Sequence, residues 1–198
     1  MKHSLKPRQV TLLGLLSGLL ILMSVTPLGY LRIGPLSATL NMIPVGIAAI
    51  ALGPLGGAVT GCVFGLTSFF SALSGGSPMG TMLISISPVR YFVLAFLPRF
   101  LMGISVGLVW KLLSGRCPNP ARYLVGFLSA FLNTVLFMGG LVLLFGETEY
   151  VQSLIGGQNV LLFIVTFVGV NAVFEMACAT ILVAALGKAI YKAHLVGR

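Results

Sequence analysis

Residues 88–113 read PVRYFVLAFLPRFLMGISVGLVWKLL, an apolar stretch that is long enough to cross a lipid bilayer as one helix. Arg99 lies near the middle of this stretch. A cation at that depth of the membrane costs roughly 2.5 to 3.5 kcal/mol on insertion scales. A buried anion, a water-filled cavity or an anionic ligand must offset this cost. The other polar residues of the chain indicate which of the three is present.

The composition is that of an integral membrane protein. Of the 198 residues, 58% are hydrophobic and 8% are charged, and the mean hydropathy is +1.09. So few polar residues cannot cover the surface of a water-soluble globule. The net charge of +9 comes from basic residues grouped at helix ends and tails. That pattern reports membrane topology and argues against nucleic-acid binding.

Six transmembrane helices are predicted, forming one all-α domain that covers residues 1–198. Glycine and proline separate them, because both residues interrupt helices. Residues 26–38, with Pro27 and Pro35, are predicted to be a loop, either a cap over a site at the outer surface or a plain interfacial loop. The Ser/Gly-rich segment 71–88 is predicted to be a lid. The predicted helices cover residues 9–25, 39–52, 58–72, 88–113, 121–145 and 158–191.

The charged residues indicate the orientation of these helices. If the six helices alternate in direction, one side of the membrane receives Lys2, Lys6, Arg8, Lys111, Arg116, Arg122, Lys188, Lys192 and Arg198. The other side receives Arg32, Arg90, Glu147 and Glu149. Cytoplasmic loops carry the excess of Lys and Arg, so both termini are predicted to be cytoplasmic.

Small residues recur at four-residue spacing in two of the helices. Gly14 and Gly18, with Ser17 beside them, would let another helix approach the first helix closely. That helix could belong to this chain or to a partner subunit, and the spacing leaves both interpretations open. The third helix begins with a glycine at every fourth position over residues 57–65. This row is predicted to be a packing seam inside the protein.

Four polar residues fall near the middles of the last three helices: Arg99, Asn133, Asn171 and Glu175. Costly side chains at similar depth are expected to converge on the interior. One interpretation is an Arg99–Glu175 ion pair with the two Asn side chains as bonds between helices. The other is a ligand pocket, in which Arg99 binds a carboxylate or amide. In a mixed case Glu175 orients Arg99 and the ligand takes the remaining donors.

Three residues nearer the outer end are further substrate-binding candidates: Asn41, at the start of the second helix, and Tyr30 and Arg32, in the loop before it.

Catalytic and metal chemistry finds little support in the sequence. The chain has no aspartate, its two histidines lie in the tails, and it has no G-x-x-x-x-G-K-[ST] motif for ATP. Cys62, Cys117 and Cys178 are too scattered for a disulfide framework or a zinc site. The prediction is a protein that is not an enzyme, with no catalytic residues, no metal and no cofactor of its own.

Several motifs in order along the chain resemble one family of membrane proteins. The centre of the fifth helix reads FLNTVLFMGG over residues 131–140, and TPLG at 26–29, IGP at 33–35 and LGP at 52–54 mark the turns. Together with six short helices, these features resemble the S components of energy-coupling factor (ECF) transporters. The resemblance covers nearly the whole chain, and within the family it looks most like the pantothenate-type members.

The resemblance implies a function, partners and site residues. An S component binds a vitamin from outside and topples in the membrane to release it inside, and it works with a transmembrane coupling subunit and two ATPases that hydrolyse ATP. On this chain it assigns Gly14 and Gly18 to docking, and Arg99, Asn133 and Asn171 to substrate. The implied location is the plasma membrane of a prokaryote, of Gram-positive type.

Pantothenate also suits the residues themselves, because it is small, anionic and aliphatic, with hydroxyls and an amide. Three alternatives remain open: an S component for another B vitamin, a stand-alone ion-coupled carrier that uses Glu175, and a structural subunit with no ligand.

Overall fold

The computed structural model describes residues 7–26, 30–33 and 36–192, and for residues 30–33, 36–38, 170, 191 and 192 it describes the backbone alone. This part of the chain forms seven helices and one two-stranded hairpin. In chain order they are α1 (Pro7–Val25), β1 (Tyr30–Ile33), β2 (Leu36–Thr39), α2 (Met42–Leu73), α3 (Pro78–Ile86), α4 (Pro88–Leu113), α5 (Pro118–Phe145), α6 (Glu149–Ile155) and α7 (Val160–Lys192).

Five helices are long and apolar enough to cross a membrane: α1, α2, α4, α5 and residues 171–190 of α7. The short α6 and residues 160–169 of α7 meet at a bend of 79°, and would make a sixth if they formed one broken span. The predicted helix over 88–113 matches α4 in full, and the other long helices begin or end within three residues of their predicted bounds or are joined to a neighbour.

The helix α2 is a hairpin of two segments, 42–52 and 54–73, rather than one straight rod. Gly53 between them has φ 66° and ψ −150°, a conformation outside the helical region that glycine reaches without steric cost. Gly56 packs directly on the carbonyl of Ala48, which lies eight residues earlier and would be remote in a straight helix. The two segments are the second and third predicted helices. When they are counted separately and α7 is counted once, they give the six predicted membrane segments together with α1, α4, α5 and α7.

The hairpin also defines the two ends of the bundle. Near its turn, Gly107 of α4 packs against Gly53 and Pro54, and Gly187 of α7 contacts Ile50. The C-terminal parts of α4 and α7 therefore lie at the turn end.

The open end of the α2 hairpin lies beside the C-terminal part of α1. Asn41 Nδ2 donates to Ser24 Oγ at 3.1 Å, and the Ser24 hydroxyl lies 3.0 Å from Thr67 Oγ1. The beginning of α1 therefore points to the turn end, which is also where α7 finishes. This arrangement places the start of α1 and the end of α7 on one side, as predicted, together with Arg8, Lys111 and Lys188. The excess of basic residues there predicts that this side is cytoplasmic.

The loops at the opposite end contain more regular structure than predicted. Residues 30–33 and 36–39 pair as an antiparallel β-hairpin with Tyr30 opposite Thr39, where only turns were expected. The predicted lid contains the helix α3, capped by Ser77, whose hydroxyl accepts from Gly80 N at 3.2 Å, and started by Pro78. The membrane bundle itself is all-α, and the small hairpin is an addition to it.

The third predicted helix packs on α4 through its glycines, as expected. A Cβ on Gly61 would lie 2.5 Å from the carbonyl oxygen of Arg99, and one on Gly65 would lie 2.8 Å from Phe96 Cα. Gly57 is in similar contact with the carbonyl of Gly103. These contacts leave no room for side chains, so the backbone on both sides of Arg99 is held against α2.

Candidate ligand-binding cavity

A cavity of about 230 Å³ lies between the middles of α4, α5 and α7 and the connection from α2 to α3. Its size is just below the range of about 300 to 1,000 Å³ that is typical of ligand pockets, so a small molecule would fill it. The residues that line it are Thr39, Gly76, Ser77, Pro78, Met79, Arg99, Asn133, Thr134, Phe137, Met138, Phe167, Val168, Asn171, Ala172 and Glu175. The four polar residues predicted to converge are thus all on its wall.

Arg99 is 9% exposed, and its guanidinium is held by its own helix and two aromatic rings. Nη1 donates to the carbonyl oxygen of Leu94 at 3.0 Å. The guanidinium carbon lies 4.5 Å from the ring centre of Phe137 and 5.5 Å from that of Phe64. Cation–π contacts of this kind offset part of the cost of a buried cation, and they leave the group facing the cavity.

Glu175 is 7% exposed and lies on the α7 side of the same cavity. Its Oε1 accepts a hydrogen bond from the backbone N–H of Thr39 at 2.7 Å, and its carboxylate interacts electrostatically with Arg99. Thr39 is the last residue of β2, so this bond ties the end of the β-hairpin to the membrane bundle beside the cavity. The carboxylate therefore has a positioning role in addition to being an anion near Arg99.

Asn133 is 5% exposed, and its Oδ1 is buried with no hydrogen-bond partner among the described residues. A buried polar atom left in this state costs about 1 to 3 kcal/mol. The interpretation in which Asn133 serves as a bond between helices does not explain this oxygen. A ligand or water that donates to it inside the cavity would satisfy it.

The other predicted site residues occupy different positions. Asn41 is fully buried at the start of α2, where it donates to Ser24, and it is not part of the cavity wall. The backbones of Tyr30 and Arg32 lie in β1, while their side chains are outside the described part of the chain. Their predicted contact with substrate stays a prediction. Asn171 is half-buried on the wall, four residues before Glu175 on the same face of α7.

Several wall residues were not predicted as site residues. Phe137 could have been found, because it lies one helical turn after Asn133 on the same face of α5. Ser77 could also have been found as a helix start, since Ser-Pro commonly begins a helix and here it begins α3 within the predicted lid. Thr39 could not have been found, because it is 136 positions away from Glu175 in the sequence and nothing local indicates their contact.

The glycines of α1 lie apart from the cavity on an open face. No other described atom lies within 4 Å of the position that a Cβ would take on Gly14 or Gly18. Both glycines are exposed, and Ser17 between them is half-buried. Packing of this pair inside the chain, one of the two interpretations that the spacing left open, is therefore not found in the described part of the structure.

The chain is similar to known transport proteins over most of its length. Residues 8–187 match the family model described as "ECF transporter, substrate-specific component". The pantothenic acid transporter PanT of Lactococcus lactis subsp. cremoris is 31% identical over 169 residues, which cover 81% of each chain. The pantothenate transporter PanT of Leuconostoc mesenteroides subsp. mesenteroides is 33% identical over 169 residues, 81% of this chain and 78% of that protein.

The helical membrane bundle, its small and partly polar cavity, and the family match over residues 8–187 agree with one another. The chain belongs to the substrate-specific components of ECF transporters, the vitamin-binding subunits of these importers.

Proposed function

We propose that this protein binds pantothenate in the cavity beside Arg99 and passes it to an ATP-driven ECF module for uptake into the cell. The module would consist of a transmembrane coupling subunit and two ATPase subunits, and the site of action would be the plasma membrane of a Gram-positive bacterium. The observation that carries the proposal is the pairing, in one cavity, of the Arg99 cation with the unsatisfied Oδ1 of Asn133.

The chemistry of pantothenate matches this pairing. Its carboxylate is the natural partner of a guanidinium, which forms charge-assisted hydrogen bonds with it. Its hydroxyl and amide N–H groups can donate to Asn133 Oδ1, and the half-buried amide of Asn171 can serve either as donor or as acceptor. The aliphatic part would lie against the apolar wall, which includes Met138, Phe167 and Val168.

The names of the relatives support the same substrate. Two proteins that are 31% and 33% identical are named as pantothenic acid or pantothenate transporters. The cavity volume of about 230 Å³ also favours a compact vitamin over a large fused-ring one.

The open glycine face of α1 supports docking to the coupling subunit. In a membrane, helices associate through close packing rather than through the hydrophobic effect, and glycines permit the closest approach. Gly14 and Gly18 offer such a face with no other described atom in contact. We infer that a helix of the coupling subunit packs there, with Ser17 at its edge.

The direct test is calorimetric titration of the purified protein with pantothenate. We expect binding by the natural chain and, for Arg99→Ala, a Kd that is about 10- to 100-fold higher, because a hydrogen bond to a charged group contributes about 1.5 to 3 kcal/mol. Arg90→Ala is the matched control, since Arg90 is an exposed arginine on the same helix that bonds Leu144 O at 3.4 Å and is not on the cavity wall. Tight binding of a different vitamin, with none of pantothenate, would overturn the substrate assignment.

The alternative of an ion-coupled carrier makes the opposite prediction for energy coupling. Uptake into proteoliposomes by this chain alone, driven by a pH gradient without ATP and lost in Glu175→Gln, would contradict the proposal. We expect no such uptake unless the coupling and ATPase subunits are present.

A further inference from the structure

Pro98 lies inside α4, one residue before the arginine of the cavity. Proline has no backbone N–H, so it cannot donate to the carbonyl four residues earlier in a helix. In α4 that carbonyl belongs to Leu94, and it accepts instead from Nη1 of Arg99 at 3.0 Å. A side chain five residues along thus takes the place of the missing backbone donor.

The direction of the Arg99 side chain makes this replacement possible. Side chains of a helix lean toward its N-terminus, so a long side chain can reach back over the preceding turn. The bond to Leu94 O fixes one edge of the guanidinium against the helix. Phe137, at 4.5 Å, and Phe64, at 5.5 Å, complete the frame around the group.

The backbone on which this frame depends is itself held in place. The carbonyl of Arg99 packs on Gly61, and Phe96 packs on Gly65, so α4 cannot shift relative to α2 without a clash. Pro98 and Arg99 are both buried. The remaining freedom of the guanidinium is then the rotation of its own side chain, which the bond to Leu94 O restricts.

We propose that Pro98 is a positioning residue for substrate binding: by leaving the Leu94 carbonyl without a backbone donor, it orients the Arg99 guanidinium toward the carboxylate of the ligand. This inference rests on the proposed function of the cavity. It concerns the charged end of the ligand alone, because Pro98 acts through Arg99.

A second role for Pro98, bending α4, would have a different signature. Among the described residues that line the cavity, Arg99 alone belongs to α4. A changed bend would move Arg99 together with the contacts of α4 on Gly61 and Gly65 of α2, so it would lower the melting temperature as well as the affinity for pantothenate. Loss of the orienting bond would weaken only ligands whose carboxylate meets Arg99. It would leave the melting temperature close to that of the natural chain. Pantothenol, in which a primary alcohol replaces the carboxylate of pantothenate, shows whether a loss of affinity acts through Arg99.

The experiment is titration of Pro98→Ala with pantothenate and with pantothenol. Alanine restores the N–H that competes with Arg99 for the Leu94 carbonyl. We expect the Kd of pantothenate to rise about two- to tenfold, the range that corresponds to ordering one flexible side chain on binding. The Kd of pantothenol should stay within about twofold of that of the natural chain, since little of its binding depends on an oriented cation.

Pro88→Ala is the matched control, because Pro88 is exposed and begins α4, where a missing N–H has no partner within the helix. Neither ligand should respond to it. An equal loss for both ligands in Pro98→Ala, no loss for pantothenate, or a melting temperature well below that of Pro88→Ala would overturn the positioning role. Titration of the natural chain with pantothenate tests the proposed function separately. If the natural chain does not bind pantothenate, that function is wrong and the inference about Pro98 fails with it.

Discussion

The glycines of α1 and those of the second α2 segment have the same spacing but opposite surroundings. In α2, Gly57, Gly61 and Gly65 are pressed against the backbone of α4, with 2.5 Å between a Cβ on Gly61 and the Arg99 carbonyl oxygen. In α1, Gly14 and Gly18 have no other described atom within 4 Å of a Cβ. We refer to these sets as the α2 glycine row and the α1 glycine pair.

The difference shows what small-residue spacing can and cannot predict. The spacing indicates that a helix can be approached closely, because lipid and apolar side chains are equally good neighbours and backbone contact decides the association. It does not say which helix approaches. The α2 glycine row meets α4 of the same chain, where it supports the cavity, whereas the α1 glycine pair meets no other helix in the described part of the chain.

The largest effect is expected for Gly61→Val. A valine Cβ and its two methyl groups cannot fit beside the Arg99 carbonyl, and overpacking of this kind costs about 1 to 3 kcal/mol or more. We expect a markedly lower melting temperature in detergent and loss of pantothenate binding, since Arg99 moves with its backbone. Gly14→Val is the control, and its melting temperature should stay close to that of the natural chain. Equal melting temperatures for Gly61→Val and Gly14→Val would contradict the packing of the α2 glycine row.

An intermediate effect, confined to transport, is expected for Gly18→Leu. The substitution fills an open face, so the melting temperature should not fall and the Kd of pantothenate should not change. ATP-driven uptake by the complete transporter should fall about tenfold or more, because losing about 1.4 kcal/mol of close packing weakens docking tenfold. Leu22→Ala, on an exposed position one turn further along α1, serves as a control that removes bulk instead of adding it. Full uptake by Gly18→Leu would show that the α1 glycine pair is not a docking face.

The smallest effects are expected when a glycine of each set is replaced by alanine, which adds one methyl group. Gly18→Ala should raise stability by up to about 0.5 to 1 kcal/mol, because alanine loses less conformational freedom in a helix than glycine does. Gly61→Ala should lower it, since even one methyl group would lie 2.5 Å from the Arg99 carbonyl oxygen. Chemical unfolding of the purified variants measures both. The same sign for both changes would remove the distinction between the two sets.

The polar residues at mid-membrane depth were the part of the site that could be predicted. Arg99, Asn133, Asn171 and Glu175 are expensive in lipid, and the structure places all four on one cavity wall. Their ligand-binding role stays a prediction that the titrations above test. Asn41 has comparable polarity but lies at the end of a helix, where its amide bonds Ser24.

The contacts between remote segments could not be predicted. The bond from Thr39 N to Glu175 joins residues 136 positions apart, and it depends on a β-hairpin that replaces the expected turns. The hydrogen bond from Arg99 to the Leu94 carbonyl depends on the rotamer of the arginine side chain, which the sequence does not give. Pro98 shows only that this carbonyl lacks its usual backbone donor.

The sequence by itself determined the membrane setting and the order of the long helical segments, and it predicted the side on which both termini lie. These follow from hydropathy, from helix-breaking residues and from the distribution of charge, which act locally along the chain. Only the tertiary structure decided which glycines are covered, how the Arg99 guanidinium is oriented and which carboxylate holds the β-hairpin. The reason is that each of these depends on contacts between helices, and small or polar residues permit several such contacts until the whole bundle is packed.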